Sequence, residues 1–181
     1  MLQQIVIVGY HTNSKNKIQK FLETKEPIFS NDSYWLGRGM YFWDNLSNAY
    51  YWKKEKIRKK EVVEDELAIL NARIEVDLED MLDLTDEETL KMLDNLWNKI
   101  RIKGKKKIEK EKLGENLDLI FDMFEDSFKC YKVVKCLAKY KNDPIKNYQF
   151  FETTRITIGN RIIYSVKDKN CILDSDFYKE D

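Results

Sequence analysis

Residues 36–43 read Leu-Gly-Arg-Gly-Met-Tyr-Phe-Trp, and no other stretch constrains the fold of this chain as tightly. Two glycines around a single residue allow positive φ or a close backbone approach. Polar turn formers, Ser30 to Ser33, lead into Trp35 and Leu36, and after Gly39 the run Met40–Trp43 resumes as a strand. Tyr50, Tyr51 and Trp52 follow on the next element. Those rings either present flat faces to a ligand or fill a core, as aromatic side chains commonly do.

A strand needs partners, and the chain supplies them at both ends. Ile5–Val8 is β-branched, ends at Gly9 and reads as a buried strand, with Tyr10 to Ser14 leaving it as a polar turn. Ile18, Phe21 and Leu22 recur at helical spacing, so Asn13 or Ser14 caps a short helix that Pro27 closes. Ser47 to Lys60 is a helix growing basic toward its end, where cations suit the dipole. Leu67–Leu70 with Ile74 and Val76 reads as a strand. Thr85 with Glu88 three residues later has the form of a capping box for a helix through Leu90, Leu93, Leu96, Trp97 and Ile100. A charge-dense stretch, Lys103 to Lys112, reads as a solvated linker. Leu117, Ile120, Phe121, Phe124 and Phe128 mark a second amphipathic helix, and Val133, Val134 and Leu137 continue it as apolar positions. From Tyr148 the pattern is strand-like: Phe150 and Phe151, Ile156–Ile158, a turn at Gly159 and Asn160, then Ile162 to Val166. Strands, a helical middle over about 84–140 and strands again predict an α+β fold in a single domain, 1–181.

Composition narrows the function. Thirty-two basic residues balance thirty-two acidic ones, so no net field draws in a polyanion, although local basic patches remain. The 43% hydrophobic content excludes a disordered polymer. Three cysteines without CxxC spacing and a lone histidine argue against structural zinc. The chain shows no apolar run of the roughly 20 residues a membrane span needs and no signal peptide at its start, so a reducing cytoplasm with buried, inert thiols is expected.

His11, with its hydroxyl neighbour Thr12, sits at a strand exit, where a rigid scaffold positions ligand-binding residues. Taken with the glycine block, it carries a resemblance. GYHTNS resembles the Tyr-His-Gly-Thr element of the ADP-ribosyltransferase superfamily, in its poly(ADP-ribose) polymerase and diphtheria-toxin branch. WLGRGMYFWDNLSNAYYW resembles that family's glycine turn and tyrosine strand. The nearest likeness is to small uncharacterised bacterial members with a Trp-Leu-Gly-x-Gly-x-Tyr-Phe motif. Arg161 to Asp168 with Cys171 and Ile172 resembles the final catalytic strand, and Leu82-Asp83-Leu84-Thr85 an acidic turn of those relatives.

The resemblance implies a split antiparallel sheet gripping NAD as substrate, with a helical insertion. His11 then bonds the adenosine ribose, the Thr12 backbone meets the nicotinamide amide, and Gly39 belongs to the cofactor turn. Tyr41 stacks on the nicotinamide, and Tyr51 or Trp52 closes the other side. Two departures stand out. Thr12 follows His11 without the family's glycine. Ile163 occupies the position of the catalytic glutamate, or of a glutamine in some bacterial relatives. Glu152 and Asp168 are substitute carboxylates. The expectation is a mono-ADP-ribosyltransferase, a toxin or anti-phage effector modifying a protein or nucleic acid and paired with a neutralising antitoxin. Two alternatives stay open: a catalytically inactive NAD- or ADP-ribose-binding interaction module, and a nucleic-acid binder using Lys53 to Lys60 and Lys103 to Lys112. No metal or membrane partner is expected.

Overall fold

The computed structural model describes residues 3–59, 63–104, 112–138 and 161–179. In chain order its elements are β1 (Gln4–Ser14), α1 (Lys15–Thr24), β2 (Ser30–Asp32), β3 (Gly37–Trp43), α2 (Leu46–Arg58), β4 (Leu67–Asp77) and β5 (Met81–Asp83). There follow α3 (Glu87–Gly104), α4 (Leu113–Met123), α5 (Glu125–Phe128), β6 (Val133–Ala138), β7 (Arg161–Val166) and β8 (Ile172–Phe177). The main sheet has the order β5-β6-β7-β3-β1-β4-β8, and β2 adds to β3. Every pairing is antiparallel except β5 with β6, whose connection runs through α3, α4 and α5. The protein is therefore α+β, and none of its described helices is long and apolar enough to cross a membrane.

Strand periodicity sorts the core onto two faces. Trp43, Ile69, Val134 and Ile163 join Ala49 of α2, Leu93 of α3 and Leu117 of α4 in one cluster. Their immediate neighbours Phe42, Leu70, Val133 and Tyr164 join Ile18 and Phe21 of α1 in the other. Both members of each pair are buried, so this central part of the sheet is covered on both sides.

Several sequence expectations change. β1 does not turn away after Gly9. It runs to Ser14, because its polar residues find partners: Thr12 Oγ1 donates to the Ala49 carbonyl at 3.0 Å, and every position pairs with β4. Nor are Val6 and Val8 buried; they are 56% and 51% exposed on the outer face. The helical insertion expected over 84–140 is confined to Glu87–Phe128, because Val133–Ala138 is a strand between β5 and β7. Consecutive Val133 and Val134 are both fully buried on opposite faces, which period 2 permits. The helix read through Phe128 breaks at Phe124 into α4 and α5.

The cap of α3 is Asp86, whose carboxylate accepts the Thr89 N–H and hydroxyl at 3.0 Å, while the Thr85 hydroxyl donates to Asp83 instead. Helix α1 stops at Lys25, in the left-handed conformation (φ 55°), before Pro27 is reached. Cys130 is exposed rather than buried. The strand signals at Phe150–Phe151 and Ile156–Ile158, the Gly159–Asn160 turn, Glu152 and most of the Lys103 to Lys112 stretch lie outside the described residues.

Candidate functional site

β1 and β3 share a single registered pair, Tyr10 opposite Trp43. Beyond it the two strands part, and such a gap leaves backbone donors and acceptors that must be satisfied some other way. The His11 imidazole fills part of that need, with Nδ1 lying 2.7 Å from the Tyr41 carbonyl. A carbonyl only accepts, so Nδ1 carries the proton and Nε2 is the acceptor. Asn13 Nδ2 donates to Nε2 at 3.2 Å, in keeping with that tautomer. Burial pushes the imidazole pKa down to about 4; the bond to the Tyr41 carbonyl works against the fall, and the charges of Lys56 and Lys17 add to it. His11 is neutral at pH 7.

A cavity of about 210 Å³ opens where the strands separate. Its walls come from several elements and the chain between them: His11, Thr12 and Asn13 of β1, Lys17 of α1, Ser30 of β2, Tyr41 and Trp43 of β3, Trp52 and Lys56 of α2 and Ile163 of β7, with Ile28, Phe29 and Trp35. The three tryptophans pack on one another, with ring centroids 6.0–6.1 Å apart. Two lysines from different helices stand at this cavity, and no carboxylate is among its described lining residues.

Tyr41 is fixed at its far end. Its hydroxyl donates to the Gly37 carbonyl at 2.6 Å and accepts the Leu36 N–H at 3.0 Å, so the ring folds back onto the glycine turn. At both glycines the chain itself already fills the space that a side chain would need. Gly37 has φ +70°, and a Cβ there would lie 2.1 Å from Asp118 Oδ1; a Cβ on Gly39 would lie 2.0 Å from Ser165 Oγ. Asp118 and Ser165 are distant in sequence, so the motif gave no sign of them.

The structure thus gathers His11, Thr12, Tyr41, Trp52 and Ile163 around one cavity. Gly39 and Tyr51 are not among its lining residues; Gly39 backs onto Ser165, and Tyr51 packs against the core. Asp168 stands apart as well, its carboxylate accepting the Asn170 N–H at 2.9 Å in the turn before β8. Lys17 and the Ile28–Ser30 edge were not singled out from sequence. A single lysine on a helix among thirty-two basic residues carries no pattern of its own.

Against known proteins, the chain is similar to an uncharacterised protein of Methanocaldococcus jannaschii, 25% identical over 198 aligned positions covering 98% of this chain and 90% of that protein. No family model and no solved structure matches it.

Proposed function

We propose that the cavity between β1 and β3 takes NAD and that the chain is an NAD-dependent mono-ADP-ribosyltransferase acting on a protein or nucleic acid. The observation that carries this is the parting of β1 and β3 at Tyr10 and Trp43, with His11, Tyr41, Trp52 and Ile163 meeting in the gap. These are the residues for which the family resemblance implies a split sheet around a dinucleotide.

The residues fit such a ligand. Tyr41 and the tryptophan cluster offer flat faces to a nicotinamide ring. Both imidazole nitrogens are engaged within the protein, so a ribose hydroxyl that bonds the neutral ring at Nε2 takes the place of the Asn13 amide, and no charge is added. Lys17 and Lys56 suit a diphosphate. A cavity of about 210 Å³ seats one ring and its ribose, and the rest of the dinucleotide runs out past the lysines. In the reaction the bond from ribose C1′ to the nicotinamide nitrogen breaks, neutral nicotinamide leaves, and C1′ bonds to a nucleophile of the target, which gives up its proton. The chain's part is to hold the ring, exclude water with aromatic walls and leave C1′ open to the target.

One observation favours a second reading, a binding module without turnover: Ile163 is 2% exposed at the cavity wall, where a carboxylate would stabilise the developing positive charge. Incubation with labelled NAD and a cell lysate separates the two. Label transferred to a macromolecule supports the transferase, and binding without transfer supports the module. Ile163→Glu is expected to raise NAD hydrolysis or transfer by about 10–1000-fold, the scale of one electrostatic donor. Absence of NAD binding in the wild type sinks both readings. A fast wild-type enzyme unaffected by Ile163→Glu assigns the chemistry to another residue.

A further inference from the structure

The start of β3, the strand that carries Tyr41, is held by two charged groups. Asp118 of α4 accepts the Arg38 N–H with both carboxylate oxygens, at 2.9 and 3.0 Å. Lys167, one residue past β7, donates to the Leu36 carbonyl at 2.8 Å and to the Arg38 carbonyl. The same helix gives its Glu115 N–H to the Ser33 carbonyl at 3.0 Å. The two charges lie 3.9 Å apart, so their close hydrogen bonds go to the backbone of Leu36 and Arg38 rather than to each other. Gly37 is matched to this arrangement, since any side chain there would strike the Asp118 carboxylate.

We propose that Asp118 and Lys167 are positioning residues for the site: by fixing the donor and acceptors of Leu36–Gly39, where the turn after β2 runs into β3, from two separate elements, they fix the Gly37 carbonyl, and through it the Tyr41 ring on the cavity wall. Stability alone does not account for the lysine. Burial pushes its pKa down to about 8; Asp118 pulls it back up and the charge of Arg38 adds to the fall. Among the described residues, Asp118 and Asp122 on α4 and Arg38 on β3 are the charged groups that share its pocket, and Phe121 lies under the ammonium, 5.3 Å from Nζ to the ring centroid. The folded-state pKa lies below the unfolded value of 10.5, so the charged lysine opposes folding at pH 7. Stability rises as pH climbs from about 8 toward 10.5. A charge kept where it opposes folding is better explained by the geometry it imposes.

The proposal rests on the NAD reading only for its affinity arm. Asp118→Asn and Lys167→Met are compared with Lys135→Met, which breaks a partly buried ion pair with Asp83 away from Leu36–Gly39. Three quantities are measured: hydrogen exchange of the Arg38 amide, NAD affinity by calorimetry, and the thermal midpoint. In the first two variants Arg38 exchange should rise and NAD affinity fall by about tenfold, the scale of one charged hydrogen bond, with midpoints close to that of the control. Lys167→Arg should restore much of the affinity. Wild-type affinity should weaken above about pH 8, where Lys167 loses its proton, and Lys167→Met should lack that step. Unchanged Arg38 exchange in both variants overturns the proposal, as does faster exchange with unaltered NAD affinity. If Lys167→Met fails to fold, Asp118→Asn carries the test. If the wild type does not bind NAD, the ligand reading has failed and Arg38 exchange still decides the clamp.

Discussion

β1 has two edges, and they behave in opposite ways. Along one, all eleven residues pair in register with β4. Along the other, Tyr10 opposite Trp43 is the single registered pair with β3, and a side chain bridges the gap that follows. The zipped edge joins residues of matching alternation, with Ile74 and Val76 filling one face of β4. The open edge carries the histidine, the tethered tyrosine and the cavity. Within a single strand, continuous backbone pairing and a ligand-sized opening are kept apart by one edge each. A cavity built this way is backed by a strand paired along its whole length, the kind of support that a preorganised site requires.

The sharpest way to break this division is to damage the zipped edge and watch the open one. Ile74 is fully buried opposite Ile7. Ile74→Ala should lower unfolding free energy by about 3 kcal/mol through lost burial and a residual void. Chemical denaturation measures this, and NAD affinity below the transition should stay within about twofold, a few tenths of a kcal/mol. A parallel collapse of affinity would show that the two edges are one unit.

A smaller effect belongs to the open edge. The folded-state pKa of His11, about 4, lies below its ordinary 6.5. The folded state thus binds fewer protons in that window, and the stability present above pH 6.5 is lost as pH falls toward 4. At pH 5 the loss from this group is roughly 2 kcal/mol. Midpoints recorded from pH 7 to 4 should show the decline in the wild type and a shallower one in His11→Gln. Equal slopes would mean that the imidazole is not confined in the gap.

The smallest expected change tests the tether. Tyr41→Phe removes the hydroxyl that joins Leu36 and Gly37. It should weaken NAD binding by about 1 kcal/mol, since the two neutral hydrogen bonds of the hydroxyl, both made within the protein, are lost and the ring remains. A loss as large as that of Tyr41→Ala would place the contribution in the hydroxyl and not in stacking.

How much of this was legible beforehand depends on the range of the causes. The strands read at Met40–Trp43 and Ile162–Val166 announced themselves through local apolar and β-branched runs, and the helix read from Ser47 through its increasingly basic end; each lies within a residue or a few of the observed element. His11, Tyr41, Trp52 and Ile163 were each marked by motif position, and the fold brings them to one cavity. The glycines, read as a turn, open β3 instead and pair with β2, and what fills the space beside them comes from Asp118 and Ser165, which no local pattern announces. Val133–Ala138 was misread because its alternation is hidden by burial on both faces. The extent of β1 was missed because a polar run at a strand's end looks like a turn unless the residues that satisfy it, Ala49 and Tyr41, are already in view. Lys167 and Asp118 are single charges in a chain with many, and only tertiary contact distinguishes them.

The strand order also has a consequence for the timing of synthesis. Residues 161–177 supply β7 to one half of the sheet and β8 to the other, where they pair with β3 and β4. Until that segment has left the ribosome, both β3 and β4 present a bare edge and the cavity lacks its Ile163 wall. A nascent chain therefore holds every aromatic residue of the site without holding the site. The cavity is complete only once residues 161–166 have emerged and paired with β3.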